Sequence, residues 1–254
     1  MYIDSHAHYD FEAFDTDREE LFTIFPAYGI DAIVNAGESV MSSYRSLKLA
    51  RQYDYVYASA GVHPHNVDKM TDADLDTIRK LAADERCVAV GEIGFDYHYN
   101  HSTPANQRRW FERQLEVAKE LDKPVMIHSR EAVRDTLEVL RKYGINKGVI
   151  HCFTDDQEAA EAYAAMGLYI GIGGVITFPS AGQVVKAVQS VGVSRILLET
   201  DCPYLAPVPY RGQRNDSRKI ENICAKLAEI LRTEHDEVAN ITNYNTLQLF
   251  RISI

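Results

Sequence analysis

Six residues of this chain have the types and the positions that metal chemistry needs. His6 and His8 stand in Asp-Ser-His-Ala-His, His128 in Val-Met-Ile-His-Ser-Arg and His151 in Gly-Val-Ile-His-Cys-Phe. Glu92 stands in Val-Gly-Glu-Ile-Gly-Phe-Asp and Asp201 in Leu-Leu-Glu-Thr-Asp-Cys-Pro. Each ends a short apolar run, where a strand delivers its last side chain to a surface. Residues i and i+2 of a strand share a face, so His6 and His8 can chelate one divalent ion. His128 and His151, from consecutive runs, can hold a second, and Glu92 lies on the path between the pairs as a bridge. Four imidazoles and two carboxylates suffice for two ions about 3.5–4 Å apart, with positions left for water. A lone histidine at a strand end is more often a hydrogen-bonded structural residue. Burying six ionisable groups together without metal would cost several kcal/mol, and that convergence carries the reading. Asp201 and Glu92 are the catalytic candidates.

The elements that must position these residues follow from the alternation of short apolar runs and amphipathic stretches. Strands are expected at Tyr2–His8, Asp31–Ala36, Val56–Val62, Cys87–Ile93, Pro124–His128, Lys147–Cys152, Gly167–Gly173 and Arg195–Asp201. Most are β-branched and almost continuously apolar, as parallel strands covered on both faces should be. Helical spacing is expected over Thr71–Glu85, Asn106–Leu121, Arg130–Tyr143, Asp155–Met166, Ser217–Arg232 and Asp236–Phe250, with Gly144 and Gly167 as stop signals. Eight strand–helix alternations in 254 residues predict an α/β fold, a single (β/α)8 TIM barrel spanning 1–254. In such barrels active residues sit at the C-terminal ends of the strands, where all six candidates fall. The Gly-x-Gly-x-x-Gly fingerprint is absent, which argues against a dinucleotide site.

Composition sets limits on partners. With 27 Lys and Arg against 37 Asp and Glu the net charge is −10, so no global field attracts a polyanion. Any such partner needs a local basic patch or metal. The four cysteines show no C-x-x-C pairing and read as free thiols of a reducing compartment. The polar start and the lack of a long apolar stretch predict a cytoplasmic protein with no membrane segment, read as a monomer without an obligate protein partner.

Positive charge gathers near the expected barrel mouth. Arg130 follows His128 by two residues, and Arg211, Arg214 and Arg218 follow Asp201. Arginine forks suit phosphate oxygens, so Arg130, Arg211 and Arg214 are read as substrate contacts, against the alternative of solvated loop charge. His63, just past the third strand, is read as a substrate or phosphate contact, and His65 as a weaker candidate. His98, His101 and His235 are expected on the surface. Glu199 shares a strand face with Asp201 and either orients a ligand or water, or balances charge in the barrel interior. Phe153, Tyr204 and Tyr210 are candidates for stacking on bases, whereas Trp110 reads as helix core.

These motifs together resemble those of the TatD-type metal-dependent deoxyribonucleases, within the amidohydrolase-like metal barrels. The resemblance spans Tyr2 to Phe250 and rests on Asp4-Ser-His-Ala-His8, Gly61-Val-His-Pro-His65, Gly91-Glu-Ile-Gly-Phe-Asp96, Ile127-His-Ser-Arg-Glu131, His151-Cys-Phe153 and Glu199-Thr-Asp-Cys-Pro-Tyr204. It implies His6, His8, Glu92, His128, His151 and Asp201 as metal ligands, with Mg or Mn working in catalysis and Zn, Ni, Fe or Co possible as bound ions. It also implies DNA as substrate, cleaved by a metal-activated water whose proton Asp201 helps to take. Where related barrels bridge their ions with a carboxylated lysine, Glu92 takes that place. One loop departs from the family's Arg-Gly-Lys-Arg-Asn-Glu-Pro: here it reads Arg211-Gly-Gln-Arg-Asn-Asp-Ser217, with Gln213 in place of lysine and Ser217 in place of proline. One charge is lost at the mouth, and a serine can still cap a helix. The alternative is a dinuclear amidohydrolase-like enzyme acting on a small amide, lactone or phosphoester, which the acidic net charge favours and the arginines oppose.

Overall fold

The apolar runs become eight parallel strands that pair in chain order: β1 (Tyr2–Ala7), β2 (Ile30–Asn35), β3 (Val56–Ala60), β4 (Cys87–Asp96), β5 (Val125–Arg130), β6 (Gly148–Ile150), β7 (Tyr169–Ile172) and β8 (Ile196–Leu198). This computed structural model describes residues 1–99 and 101–253. The sheet curls until its ends meet just past β8. There the Asp201 N–H donates to the His6 carbonyl at 2.9 Å, and the His8 N–H donates to the Cys202 carbonyl at 2.9 Å. Helices α1 (Arg18–Ile24), α2 (Val40–Gln52), α3 (Asp72–Ala82), α4 (Pro104–Glu120), α5 (Val133–Tyr143), α6 (Gln157–Ala165), α7 (Gly182–Val191), α8 (Ile220–Leu231) and α9 (His235–Phe250) surround it. The architecture is the expected (β/α)8 barrel.

Two apolar layers result. Ile3, Val34, Tyr57, Val88, Met126, Val149 and Leu197, from seven of the strands, pack together with Phe250, the last residue of α9, and with Ile252 just after it. One side chain per strand in a common cluster is how a barrel interior fills. The larger cluster lies between strands and helices and includes Phe22, Ile33, Ile78, Phe111, Leu140, Tyr163 and Leu227.

Start and stop signals act where their chemistry allows. Thr71 caps α3 in a capping box with Asp74, and Gly144 closes α5 in the left-handed region at φ 64°. Three helices, α1, α2 and α7, fall outside the sequence reading. α2 carries Ser42, Ser43 and Ser46 on its buried side, which hides its apolar stripe. Strand ends also move. β4 runs three residues past the expected Ile93, because it keeps pairing with β5 as far as Asp96 beside Arg130. β6 and β8 stop early, so His151, Glu199 and Asp201 sit on the turns that follow, with Cys152 and Asp201 left-handed at φ 44° and 53°. Glu199 therefore does not share a strand face with Asp201. No helix among the described residues is long and apolar enough to cross a membrane.

Candidate metal centre

At the C-terminal ends of the strands the carboxylate of Glu92 reaches all four ligand histidines of the sequence reading. Its Oε2 lies 3.5 Å from His6 Nε2 and 3.8 Å from His8 Nε2. Its Oε1 lies 2.7 Å from His151 Nε2 and accepts from His128 Nδ1 at 2.9 Å. His6 and His8 bring their Nε2 atoms to 3.0 Å of each other. Asp201 Oδ1 stands 3.5 Å from His8 Nε2 and 3.7 Å from His6 Nε2. The rings of His6 and His151 stack with centres 3.9 Å apart. All six candidates meet in one cluster.

The cluster is larger than that set. His63 Nε2 lies 3.2 Å from Glu92 Oε1 and the residue is buried, so His63 stands with the ligand histidines and not at the periphery. The chain folds inward after β3, where His63 N–H donates to the Glu38 carbonyl at 2.9 Å. Asp96 accepts from His128 Nε2 at 2.9 Å and stands 3.0 Å from His65 Nε2. Its other oxygen accepts from the N–H groups of His98 and Tyr99 at 3.1 and 2.9 Å. Asp96 lies outside the candidate set because the strand expected from the sequence ends at Ile93; its signal is the second acid of Gly-Glu-Ile-Gly-Phe-Asp. Asp4 is the other omission. It is fully buried and accepts from Thr200 N at 2.9 Å, Thr200 Oγ1 at 2.6 Å and Ser217 Oγ at 2.6 Å, tying β1 to the segment that carries Asp201.

Two effects compete at the centre: its carboxylates favour positive charge on the imidazoles and burial opposes it. Burial opposes ionisation of Glu92, yet the surrounding imidazoles hold its pKa well below the usual carboxylate range. Burial likewise works against a charged His8, but Asp201 outweighs it and raises the pKa to about 9. For His128 the opposing burial is overcome by Asp96 and Glu92, again to about 9. Burial wins at His6 and at His63, lowering both to about 4. Glu199 is pushed well above the ordinary value by burial and then by Asp201.

The donor set fits divalent ions. His6 Nδ1, His151 Nδ1 and Glu199 Oε2 are buried without a hydrogen-bond partner, and such orphaned atoms are rare in folded proteins. Three groups place one ligand atom each within 4.8 Å of the others: His6, His8 and Glu92; His63, Glu92 and His128; His6, His151 and Glu199. Imidazole nitrogen with carboxylate oxygen suits Zn, Mn, Fe, Co and Ni.

The arginines are less uniform. Arg130, at the end of β5, lies 4.7 Å over the Tyr99 ring. Arg211 lies 3.8 Å over Phe178 and donates to the Ala206 carbonyl at 3.3 Å. Arg214 does not join the mouth: it forks onto Asp17 at 2.8 and 2.5 Å. Arg218 is held by Asp216. Phe153 is buried and unavailable for stacking, whereas Tyr204 is exposed. Ser217 does not cap a helix; Asp216 does so, accepting from Arg218 N. Instead Ser217 N–H donates to the Tyr9 hydroxyl at 2.7 Å and its Oγ to Asp4, two bonds that a proline cannot make.

A family model described as TatD related DNase matches residues 3–251. The chain belongs to this family. A curated relative in Bacillus subtilis (strain 168), the uncharacterized metal-dependent hydrolase YabD, is 37% identical over all of both chains. A relative in Escherichia fergusonii named 3'-5' ssDNA/RNA exonuclease TatD is 33% identical, over 94% of this chain and 95% of its own. Among solved structures, the TatD homologue YjjV of Escherichia coli K12 superposes with a TM-score of 0.94 at 31% identity, over 99% of this chain and 98% of that one. The TatD-family barrel described above is accordingly a metal-dependent hydrolase.

Proposed function

We propose that this protein is a divalent-metal-dependent nuclease that cleaves the phosphodiester bonds of DNA. The observation that carries the reading is the convergence of His6, His8, Glu92, His128, His151 and Asp201 at one barrel mouth, with Glu92 turning one oxygen to each histidine pair. In this proposal those six residues hold two ions. Ions held there supply Lewis acidity at the phosphate and lower the pKa of water. Glu92, with one oxygen toward His6 and His8 and the other toward His128 and His151, would help to hold both. Asp201, the most accessible carboxylate of the set, accepts the proton of the attacking water while the phosphorus–oxygen bond to the sugar breaks. Arg130, which stands at the end of β5 two residues past His128, steadies the phosphoryl oxygens as negative charge grows on them. The relative named as a single-stranded DNA and RNA exonuclease supports this substrate class. A second reading, a hydrolase of a small phosphoester, amide or lactone, draws on the internal pairing of Arg214 and Arg218, which leaves fewer cations free for a long polyanion.

Turnover of single-stranded DNA, a lactone and a minimal phosphodiester, each with and without chelator, separates these readings. The expected result is chelator-sensitive cleavage of the oligonucleotide. Turnover of the lactone alone would overturn the nuclease reading.

A further inference from the structure

Beside the metal centre, a cleft of about 430 Å3 opens between the loop after β1, the start of α2 and the loop after β8. Phe11, Met41, Arg45 and Tyr204 line it. Phe11 joins the cleft to the centre, for its ring stacks on His8 with ring centres 4.7 Å apart. Tyr204, three residues after Asp201, meets Phe11 edge-on at 6.2 Å. Tyr204 and Met41 leave 55% and 59% of their surface in solvent, an apolar patch held open next to a hydrolytic site.

The charges are arranged around that patch. Arg45 stands one helical turn after Met41, on the same face of α2, and among the described residues it makes no ion pair. The first turn of α2 also faces the cleft through Ser39 and Ser42, adding the positive end of a thirteen-residue helix. Three acids border the same space. Asp10 is already engaged, accepting from Asn35 Nδ2 at 2.9 Å and Ser42 Oγ at 2.7 Å. Glu12 and Glu38 remain at the edge, as acceptors for a ligand that carries N–H groups. An aromatic patch, an unpaired arginine, a helix N-terminus and acceptors at the edge match a nucleotide: a π-face, a phosphate and amino donors.

We propose that this cleft is a nucleobase subsite, in which the base next to the scissile phosphodiester packs against Phe11 and Tyr204 while Arg45 and the start of α2 take a neighbouring phosphate. The inference rests on the nuclease reading and adds to it where the strand lies relative to the metal centre.

The test compares two single-stranded oligonucleotides of equal length, one with all its bases and one abasic throughout, so that phosphates are matched and only stacking differs. The parent is expected to prefer the base-bearing strand by about tenfold or more in kcat/KM, the scale of one stacked base. Tyr204→Ala should remove most of that preference, and Tyr204→Trp should keep it. Arg45→Ala should weaken both strands alike and lower the salt slope of binding by about one. Circular dichroism confirms that each variant is folded. A Tyr204→Ala variant with the parent's preference, or a parent that cleaves both strands equally well, would overturn the subsite alone. A parent that cleaves neither strand overturns the nuclease reading and the subsite with it.

Discussion

Asp96 offers the sharpest test of how the centre is held. Both ring nitrogens of His128 face carboxylates, Nδ1 donating to Glu92 at 2.9 Å and Nε2 to Asp96 at 2.9 Å. A carboxylate behind a ligating histidine fixes the ring's orientation and raises its basicity. Against the opposing effect of burial, Asp96 and Glu92 raise the His128 pKa from 6.5 to about 9. Removing such an outer partner frees the ring and costs about ten- to hundredfold in metal affinity or activity. Asp96→Asn is the appropriate perturbation, because the amide oxygen can still accept from His98 N and Tyr99 N and keep the loop in place. Metal affinity, measured by competition with a chromogenic chelator, should fall about ten- to hundredfold, and kcat/KM at limiting metal should fall with it. The thermal transition of the metal-free protein should change little. Unaltered metal affinity in a folded Asp96→Asn variant would refute the claim that Asp96 positions His128.

Three further outcomes follow from the same geometry. His6→Ala combined with His8→Ala should abolish activity and remove one ion while the barrel stays folded, so two equivalents of metal still bound to the folded double variant would contradict their assignment. Asp201→Asn should lower kcat by orders of magnitude with little change in KM, because an amide cannot accept the water's proton; a variant that keeps kcat and loses only affinity would make Asp201 a substrate contact. Arg214→Ala should leave the salt dependence of DNA binding unchanged and cost about 0.5–1 kcal/mol of stability at neutral pH, through its half-exposed pair with Asp17. Arg214 lowers the Asp17 pKa in the folded state, so this contribution is full above the unfolded value near 4 and is lost as pH falls from there through the lower folded value; a stability difference between parent and variant that persists below both values would argue against the pair as its source.

The motifs of this chain already specified the barrel and the six metal candidates, because both are local properties of pattern. Period-two and period-3.6 spacing report which face of its own element a side chain occupies. An acid or imidazole ending an apolar run is delivered to the mouth by that strand alone. Residues whose roles depend on a second, distant element were beyond that reach. His63 belongs to the cluster because the chain turns inward after β3 towards Glu92 on β4. Asp96 holds His128 because β4 and β5 stay paired to its level. Arg214 looks like a phosphate ligand in its loop, yet barrel closure brings it to Asp17, 197 positions earlier, where a fixed carboxylate neutralises it. Ser217 replaces a proline and finds Asp4, 213 positions away. In each case the partner is set by which strands become neighbours when the sheet closes, and closure depends on the packing of all eight strands together, a property that no single stretch of sequence contains.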